Sequence, residues 1–152
     1  MRSALENRTE RIADRNEVLM LDLINSDRVA ASSLSETKGR AYPLQWDSRL
    51  AAVALEHSLD MARKGFFSHQ GSDGSMPSSR VSRAGIQWRS TGENIAKVYD
   101  VNQAEDLFMN EPKFQSNHRA NILNPSYTHV GVGIAKGPGG ALYITQEFAQ
   151  LR

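Results

Sequence analysis

The sequence predicts an α+β fold in which helices cover both faces of a small antiparallel sheet. Helical patterns dominate the first half of the chain, and two segments of alternating apolar and polar residues lie near its end. These segments, "THVGVGIA" and "ALYITQEFA", are joined by "KGPGG", which is typical of a hairpin turn. Helices that precede an antiparallel hairpin indicate an α+β protein and not repeated βαβ units.

The clearest helical pattern is "SRLAAVALEHSLDMARK", residues 48–64. Asp47 before it is a typical N-cap, and Gly65 after it is a typical helix stop. One stripe of this helix is expected to be buried: Leu50, Val53, Ala54, His57 and Met61. An earlier helix is expected within residues 17–32, with these apolar residues near helical spacing: Val18, Leu21, Ile24 and Val29. On that helix we expect Asn25 and Arg28 to bind backbone or carboxylate groups and to be structural.

Between these helices and the hairpin, the sequence predicts a short helix ending near Arg83, a strand within residues 86–98, and another helix. The last, "NQAEDLFMNE", is expected to turn Leu107 and Phe108 inward. We find no internal repeat and no domain boundary. Residues 17–152 are therefore predicted to form one domain, preceded by a charged arm, residues 1–16.

Composition excludes several classes of function. The chain has 152 residues and no cysteine, so it can form neither disulfides nor thiolate metal sites. Its net charge of +1 comes from mixed signs, which leaves no basic stripe for nucleic acid. No apolar run approaches the roughly 20 residues that a membrane span needs. The N-terminal "MRSALENRTERIADRN" has no apolar core, so we expect either a cytoplasmic protein or one whose leader has been removed.

Candidate functional residues are few, because no G-x-S-x-G elbow, H-E-x-x-H motif or phosphate loop occurs. His69 follows two phenylalanines and opens a flexible loop, "QGSDG". Glu93 lies in "TGENIAK", where it is either a surface charge or a buried acid with a partner. His57 is expected to be a hydrogen-bonded core imidazole, and His129 a solvent-face or packing residue of its strand.

Several segments, taken in order, resemble the CAP superfamily of cysteine-rich secretory proteins, antigen 5 and pathogenesis-related proteins. The matching segments are "LINSDR", "LQWDSRLAAVALEHSLDMARKGFFSH", "GENIA", "NHRANIL" and "YTHVGVGIA", and together they cover roughly residues 17–149. Without cysteine, the chain resembles the bacterial SCP-like members. The resemblance implies a three-layer α-β-α sandwich with a small antiparallel sheet between helices.

The resemblance also implies a central cleft lined by two histidines and two acids. Residue by residue, these are His69 of "FFSH", Glu93 of "GENI", Glu111 of "FMNE" and His118 of "HRANIL". The segment "PKFQSN" between Glu111 and His118 is longer than the usual Ser-Pro-Gly lead of the family. This difference affects the match of Glu111 to the family position more than the match of His118. Family members are usually secreted, so the resemblance implies an extracellular or cell-envelope location.

Two imidazoles and two carboxylates in one cleft suit a site for zinc or another divalent cation, with His69 and His118 as the ligands. The glutamates would then orient the histidines or act through water. We expect a binding module for a small-molecule, lipid or protein ligand. The alternative is a metal-dependent, peptidase-like hydrolase in the same cleft. A metal-free Glu–His base acting on Ser68 or Ser116, and a purely structural polar network, are further alternatives. The sequence identifies no catalytic residue, natural ligand or oligomeric state.

Overall fold

The computed structural model describes residues 14–31 and 35–152, and it forms a four-stranded sheet between two layers of helices. The predicted arm lies outside the described residues up to residue 13. The helices are α1 (Arg15–Ala30), α2 (Ser48–Lys64), α3 (Pro77–Arg83), α4 (Val101–Met109) and α5 (His118–Leu123). The strands are β1 (Gln45–Trp46), β2 (Trp88–Val98), β3 (His129–Lys136) and β4 (Leu142–Leu151).

The sheet has the strand order β1-β3-β4-β2, which places β2 at one edge. The three long strands pair antiparallel, as predicted, and the two-residue β1 adds a short parallel pairing with β3. Helices α2 and α3 cover one face, and α1, α4 and α5 cover the other. The α+β class and the α-β-α layering predicted from the sequence are therefore confirmed.

Helix α2 begins and ends where the sequence predicts. The Asp47 side chain accepts hydrogen bonds from the backbone N–H groups of Arg49 and Leu50, and Gly65 ends the helix in the left-handed conformation with φ 69°. The whole predicted stripe of α2 is buried. Helix α2 lies so close to β3 that a Cβ atom at Gly131 or Gly133 would overlap its backbone. The alternation of glycine in "VGVGIA" therefore creates the surface on which α2 packs.

Two inward faces differ from the prediction. On α1, Val18 and Val29 are exposed, by 43% and 55%, while the polar Glu17 and Arg28 are buried with Met20 and Ile24. On α4, Leu107 is exposed, while Phe108 is buried as predicted and Glu105 is also buried. In both helices polar side chains have partners on other elements, which overrides the simple apolar pattern: Arg28 binds carbonyl groups and Glu105 meets Gln146.

The backbone contacts predicted for Asn25 and Arg28 are confirmed. Asn25 exchanges two hydrogen bonds with the backbone of Leu44, at 2.7 and 3.1 Å. Arg28 donates to three carbonyl oxygens, those of Tyr42, Ile122 and Asn124. Burial lowers the pKa of the Arg28 guanidinium to about 10, so it remains charged at neutral pH. Arg28 thus ties α1 to the segment before β1 and to the end of α5.

Candidate functional site

The first half of the predicted cleft is the pair formed by His69 and Glu93. Helix α2 ends at Gly65, and the following loop brings His69 Nδ1 to 2.7 Å from Glu93 Oε1. The His69 side chain is 46% exposed, whereas the Glu93 side chain on β2 is 1% exposed. A buried carboxylate therefore holds one nitrogen of an accessible imidazole.

Glu93 remains ionised although it is buried. Arg80 on α3 donates from Nη2 to its Oε2 at 2.6 Å, while His69 occupies Oε1. Burial alone would raise the pKa of Glu93. Hydrogen bonds from Glu147 and His69 and the charge of Arg80 outweigh burial, and the pKa falls to about 2.

His57 is the core imidazole that the sequence predicts, and it also supports the site. Its ring is fully buried, and Nε2 lies 2.8 Å from the carbonyl oxygen of Ser68, to which it donates in the neutral Nε2–H form. Burial lowers the pKa of His57, partly offset by the charge of Glu93, whose Oε1 lies 3.9 Å from Nε2. His57 thereby fixes the backbone immediately before His69.

The second half is the pair formed by Glu111 and His118. Glu111 Oε2 lies 2.7 Å from His118 Nδ1, and Oε1 accepts a hydrogen bond from the backbone N–H of Arg119 at 3.1 Å. The His118 ring stacks on Phe108 with the ring centroids 4.6 Å apart. Asn117 caps α5 by accepting from the N–H of Ala120. Glu111 thus orients the ring and also satisfies the first turn of α5.

Edge strand β2 joins the two halves, because neighbouring residues of a strand point to opposite faces. Glu93 points toward Arg80 and His57 in the α2–α3 layer. The next residue, Asn94, points to the other face and donates from Nδ2 to the carbonyl oxygen of His118 at 3.1 Å. Two neighbouring residues of β2 therefore position one pair each: Glu93 holds His69, and Asn94 holds the backbone of His118.

The glycine of the "GENI" motif also has a physical reason. A Cβ atom at Gly92 would overlap the hydroxyl group of Tyr127 and the side chain of Asn121. Asn121 in turn donates to Asn94 Oδ1 at 2.8 Å and to the carbonyl oxygen of Glu93 at 3.3 Å. A side chain at position 92 would therefore push against Tyr127 and against Asn121, whose hydrogen bonds tie α5 to β2.

A metal ion in a protein needs several donor side chains close together. Within 14–31 and 35–152, no three side chains of His, Asp or Glu come together as a metal site. His69 and His118 each use Nδ1 for a carboxylate, and the structure records no hydrogen bond to either Nε2 there. Two imidazoles with carboxylate-bound Nδ1 are suitable donors for zinc. They are fewer than the three or four protein ligands of ordinary zinc sites, so water or a ligand would have to complete the shell.

Three residues of this site escaped the sequence analysis as functional residues: His57, Arg80 and Glu147. The apolar stripe of α2 predicts only a core role for His57, and no local pattern singles out Arg80. Glu147 lies opposite Glu93 in the pairing of β2 with β4. An available signal was the alternation of "ALYITQEFA", which puts Glu147 on the same face as Thr145 and Tyr143.

Ser68 is not arranged as a nucleophile. Its hydroxyl accepts a hydrogen bond from the backbone N–H of Gln70 at 3.1 Å, and the neighbouring His57 contacts its carbonyl oxygen.

His129 lies at the start of β3, which β4 separates from β2. It is partly buried, and its ring lies 2.7 Å from the hydroxyl of Thr128. Across the described segments, no helix combines the length and apolar character required to cross a membrane.

The sequence profile of the family described as "CAP: Cysteine-rich secretory protein family" matches residues 21–148. Two proteins of Bacillus subtilis (strain 168) are similar to the chain. "Uncharacterized protein YkwD" is 37% identical over 107 residues, and "Uncharacterized membrane protein YlbC" is 32% identical over 144 residues. These alignments cover 70% and 94% of this chain but only 39% and 37% of the relatives. The chain thus spans about two fifths of the length of these curated relatives.

Solved structures share the fold. An extracellular protein containing a SCP domain from Bacillus anthracis str. Ames superposes with a TM-score of 0.73 and 29% sequence identity, covering 89% of this chain and 40% of that one. The crystal structure of NaASP2 with Zn2+ superposes with a TM-score of 0.57 and 16% sequence identity, covering 86% of this chain and 77% of that one. At that identity the second comparison supports the fold alone.

Proposed function

The chain belongs to the CAP family of cysteine-rich secretory proteins, and from this premise we propose that its domain is a binding module whose cleft holds a divalent cation. His69 and His118 are the proposed ligands, each through Nε2. Glu93 and Glu111 orient them through Nδ1. Zinc is the first candidate, because neutral imidazole is among its preferred donors. When bound, the ion would attract an anionic group of the ligand.

The observation that carries this proposal is the matched orientation of two imidazole rings beside one edge strand. In each pair a carboxylate lies 2.7 Å from Nδ1, so the proton is held there and the Nε2 lone pair is free. Both rings are partly exposed, 46% for His69 and 34% for His118. One structure of this fold, that of NaASP2, was determined with Zn2+.

The hydrogen bonds that the two glutamates already form favour a binding role over metal-dependent hydrolysis. A hydrolase of this kind needs a carboxylate or similar base free to take a proton from water. Glu93 is occupied by Arg80 and His69, and Glu111 by His118 and the backbone of Arg119. No observation in the described residues favours the hydrolase over the binding module.

The ligand is proposed to contact exposed aromatic side chains that lie close in the sequence to each half of the site. Phe67, two residues before His69, is 51% exposed, and Phe114, between Glu111 and His118, is 74% exposed. Phe114 also has a φ of 59°, a conformation that is unfavourable for an aromatic residue. Apolar contacts around a polar centre are typical of sites for small molecules or lipids.

We further propose an extracellular or cell-envelope location. The Bacillus anthracis relative is described as an extracellular protein, and YlbC is named a membrane protein. Both names place relatives outside the cytoplasm or at its boundary. Fractionation of the producing cells, with an antibody to this domain, tests the proposal. A signal confined to the cytoplasmic fraction would contradict it.

Thermal melts with and without zinc test the metal proposal. Zinc at about 100 times its Kd should add roughly 2.7 kcal/mol of stability to the wild type at pH 7.5. The gain should shrink at pH 5.5, because protons compete for imidazole nitrogen. His69→Ala and His118→Ala should each lose the zinc-dependent gain. His129→Ala is the matched control and should keep it. An unchanged gain in His69→Ala would refute the proposed site.

A further inference from the structure

A cavity between helices α2 and α3 lies apart from the proposed metal site. Its volume is about 350 Å³, which is within the range of roughly 300–1,000 Å³ that small-molecule sites occupy. The lining from α2 is Arg49, Ala52, Val53 and Glu56. Their spacing of i, i+3, i+4 and i+7 places them on one face of the helix. The lining from α3 is Arg80, Arg83 and Ala84. Neither of the two proposed metal ligands lines this α2–α3 cavity.

Short apolar side chains give the cavity its room and its apolar wall. Ala52 and Ala84 have side chains of one carbon each, so the two helices leave space between them. Val53 is 6% exposed and packs in a core cluster with Val81 of α3 and with Ile86, which fixes the wall beneath the cavity. Such a surface is suited to the apolar body of a small ligand.

Two exposed guanidinium groups border the cavity. The side chains of Arg49 and Arg83 are 53% and 62% exposed. Arg49 donates to Asp47 from Nε and Nη2, at 3.3 and 2.9 Å, and Arg83 donates to Asp73 from Nη1 at 3.2 Å. Neither of these acids lines the cavity. An exposed ion pair stabilises little, and each guanidinium has five N–H donors, so both arginines can also bind an anion in the cavity.

The third arginine differs from the other two, because it is buried. Arg80 is 7% exposed, and its Nη atoms donate to Glu93 at 2.6 Å and to the carbonyl oxygen of Ser75 at 2.9 Å. Its Nε–H is buried and has no hydrogen-bond partner among the described residues. An uncompensated buried donor favours an acceptor nearby. Arg80 therefore adds to the preference of the cavity for a negatively charged group.

We infer that the α2–α3 cavity binds a small organic carboxylate with a short apolar body. Arg49 and Arg83 bind the carboxylate, and Ala52, Val53 and Ala84 contact the apolar part. The two bonds from Arg49 to Asp47 show the fork geometry with which a guanidinium recognises a carboxylate.

Glu56 selects for a single negative charge. It is exposed, it lines the cavity, and no hydrogen bond or ion pair to it is recorded in the described residues. Its carboxylate repels a second charge on the ligand, which disfavours a phosphate dianion or a polyanion. A monocarboxylate avoids this repulsion while it keeps the bonds to arginine.

Titration of metal-free protein with hexanoate, followed by amide NMR shifts, tests the inference. The backbone amides of Ala52 and Ala84 should shift and saturate, with a Kd on the order of 1 mM for so small a ligand. Hexanamide, which has the same chain and no charge, should bind at least about 10-fold more weakly. Hexyl phosphate should bind no more tightly than hexanoate, because Glu56 opposes its second charge.

Three variants of the lining locate the site. Arg83→Gln should weaken hexanoate binding about 10-fold, because a charge-assisted hydrogen bond is lost. Ala52→Leu keeps every charge but fills the cavity, and it should also weaken binding about 10-fold. Glu56→Gln should favour hexyl phosphate over hexanoate by about 3-fold or more relative to wild type. Arg40→Gln is the matched control, since Arg40 is exposed and does not line the cavity, and it should bind hexanoate as wild type does.

Several results would overturn the inference. They are an absence of shifts at Ala52 and Ala84 with about 20 mM hexanoate, equal binding of hexanamide, and tighter binding of hexyl phosphate in the wild type. Unchanged hexanoate affinity in Arg83→Gln would do the same. If Ala52→Leu does not fold, Arg83→Gln decides alone, because Arg83 is exposed and its replacement leaves the core intact.

The variant His69→Ala separates this site from the proposed function. Metal-free His69→Ala should bind hexanoate as tightly as wild type, because His69 does not line the cavity. If zinc fails to bind wild-type protein while hexanoate still shifts Ala52 and Ala84, the metal proposal is wrong and the carboxylate site stands. If hexanoate binding is lost in His69→Ala, the anion binds in the metal cleft and the inference is wrong.

Discussion

Arg80 and Glu93 form a buried ion pair, with Nη2 2.6 Å from Oε2 and side-chain exposures of 7% and 1%. Removing one partner of such a pair leaves an unpaired buried charge. Arg80→Met should therefore lower the free energy of unfolding by about 3–5 kcal/mol at pH 7. Urea denaturation measures the change.

The double variant Arg80→Met with Glu93→Gln is the control for this prediction. It removes both charges, and an uncharged buried pair costs much less than a single unpaired charge. The double variant should recover more than half of the loss. If the double variant is no more stable than Arg80→Met, the loss of stability comes from the packing of the arginine stem and not from the unpaired carboxylate of Glu93.

A second buried acid predicts how stability depends on pH. Glu105 is 3% exposed, and burial, with the hydrogen bond and charge of Asp27 adding to it, raises its pKa from 4.5 to about 9. The unfolded chain loses this proton near pH 4.5, whereas the folded chain keeps it up to about pH 9. In that window the folded state binds more protons, so the free energy of unfolding falls as pH rises, by up to about 1.4 kcal/mol per unit.

Glu105→Gln should remove this part of the pH dependence. Gln can donate to Asp27 and accept from Gln146, and it has no proton to lose. The variant should become more stable relative to wild type from pH 5 to pH 8, as measured by urea midpoints across the range. Glu147 contributes a slope of the same sign to both proteins, so the difference isolates Glu105. Parallel profiles would mean that Glu105 is ionised in the folded protein.

The buried faces of α1 and α4 explain where sequence reasoning succeeds and where it fails. Helix α2 could be predicted because its stripe, its cap at Asp47 and its stop at Gly65 are all local features. Helix α1 could not, because the burial of Arg28 depends on the carbonyl oxygens of Ile122 and Asn124, which lie far away in the chain. Apolar spacing alone therefore selects Val18 and Val29, which the structure exposes.

The candidate site divides in the same way. The four motif residues could be singled out because the family resemblance carries them, and the structure places them in two pairs, His69 with Glu93 and Glu111 with His118. Their joint role in metal binding stays a prediction. The groups around Glu93 could not be found, because Arg80 reaches it across layers and Glu147 meets it through strand register, which local patterns do not fix.

Asn25 offers a test of the ties between α1 and the rest of the domain. Its two hydrogen bonds to the backbone of Leu44 are partly buried. Asn25→Ala would leave that N–H and C=O without their partner, so we expect a loss of about 1–3 kcal/mol in urea denaturation. Ser26→Ala, at an exposed position on the same helix, should change stability by less than about 0.5 kcal/mol. Equal stability of the two variants would refute the structural role of Asn25.

Gly133 tests the close packing of α2 on β3. A Cβ atom there would overlap the backbone of Leu55, and backbone cannot move aside as a flexible side chain can. Gly133→Ala should therefore cost about 3 kcal/mol or more. Gly140→Ala is the matched control, since its Cβ would meet nothing and only the φ of 81° opposes it, at a cost of about 1 kcal/mol. Similar melting temperatures for the two variants would contradict the close approach.

Glu111 provides the sharpest test of how His118 is held. Its two carboxylate oxygens serve two donors, Nδ1 of His118 at 2.7 Å and the backbone N–H of Arg119 at 3.1 Å. Glu111→Gln has a single side-chain oxygen, so one donor loses its acceptor and the charge that makes the imidazole a better ligand disappears. If His118 binds zinc through Nε2, zinc affinity should fall about 10- to 100-fold, as measured by calorimetry.

The control for this prediction is Glu56→Gln on α2, whose carboxylate forms no recorded hydrogen bond to either histidine in the described part of the chain. It removes the same charge from the protein, so it corrects for general electrostatic attraction of the cation. Its zinc affinity should stay within about 3-fold of wild type, because Glu56 is exposed and solvent screens its charge. The Glu111 side chain is 27% exposed, so Glu111→Gln should still fold, and the two variants can be compared at equal occupancy of the folded state. Equal zinc affinities of Glu111→Gln and Glu56→Gln would show that Glu111 stabilises the first turn of α5 and does not support the metal ligand.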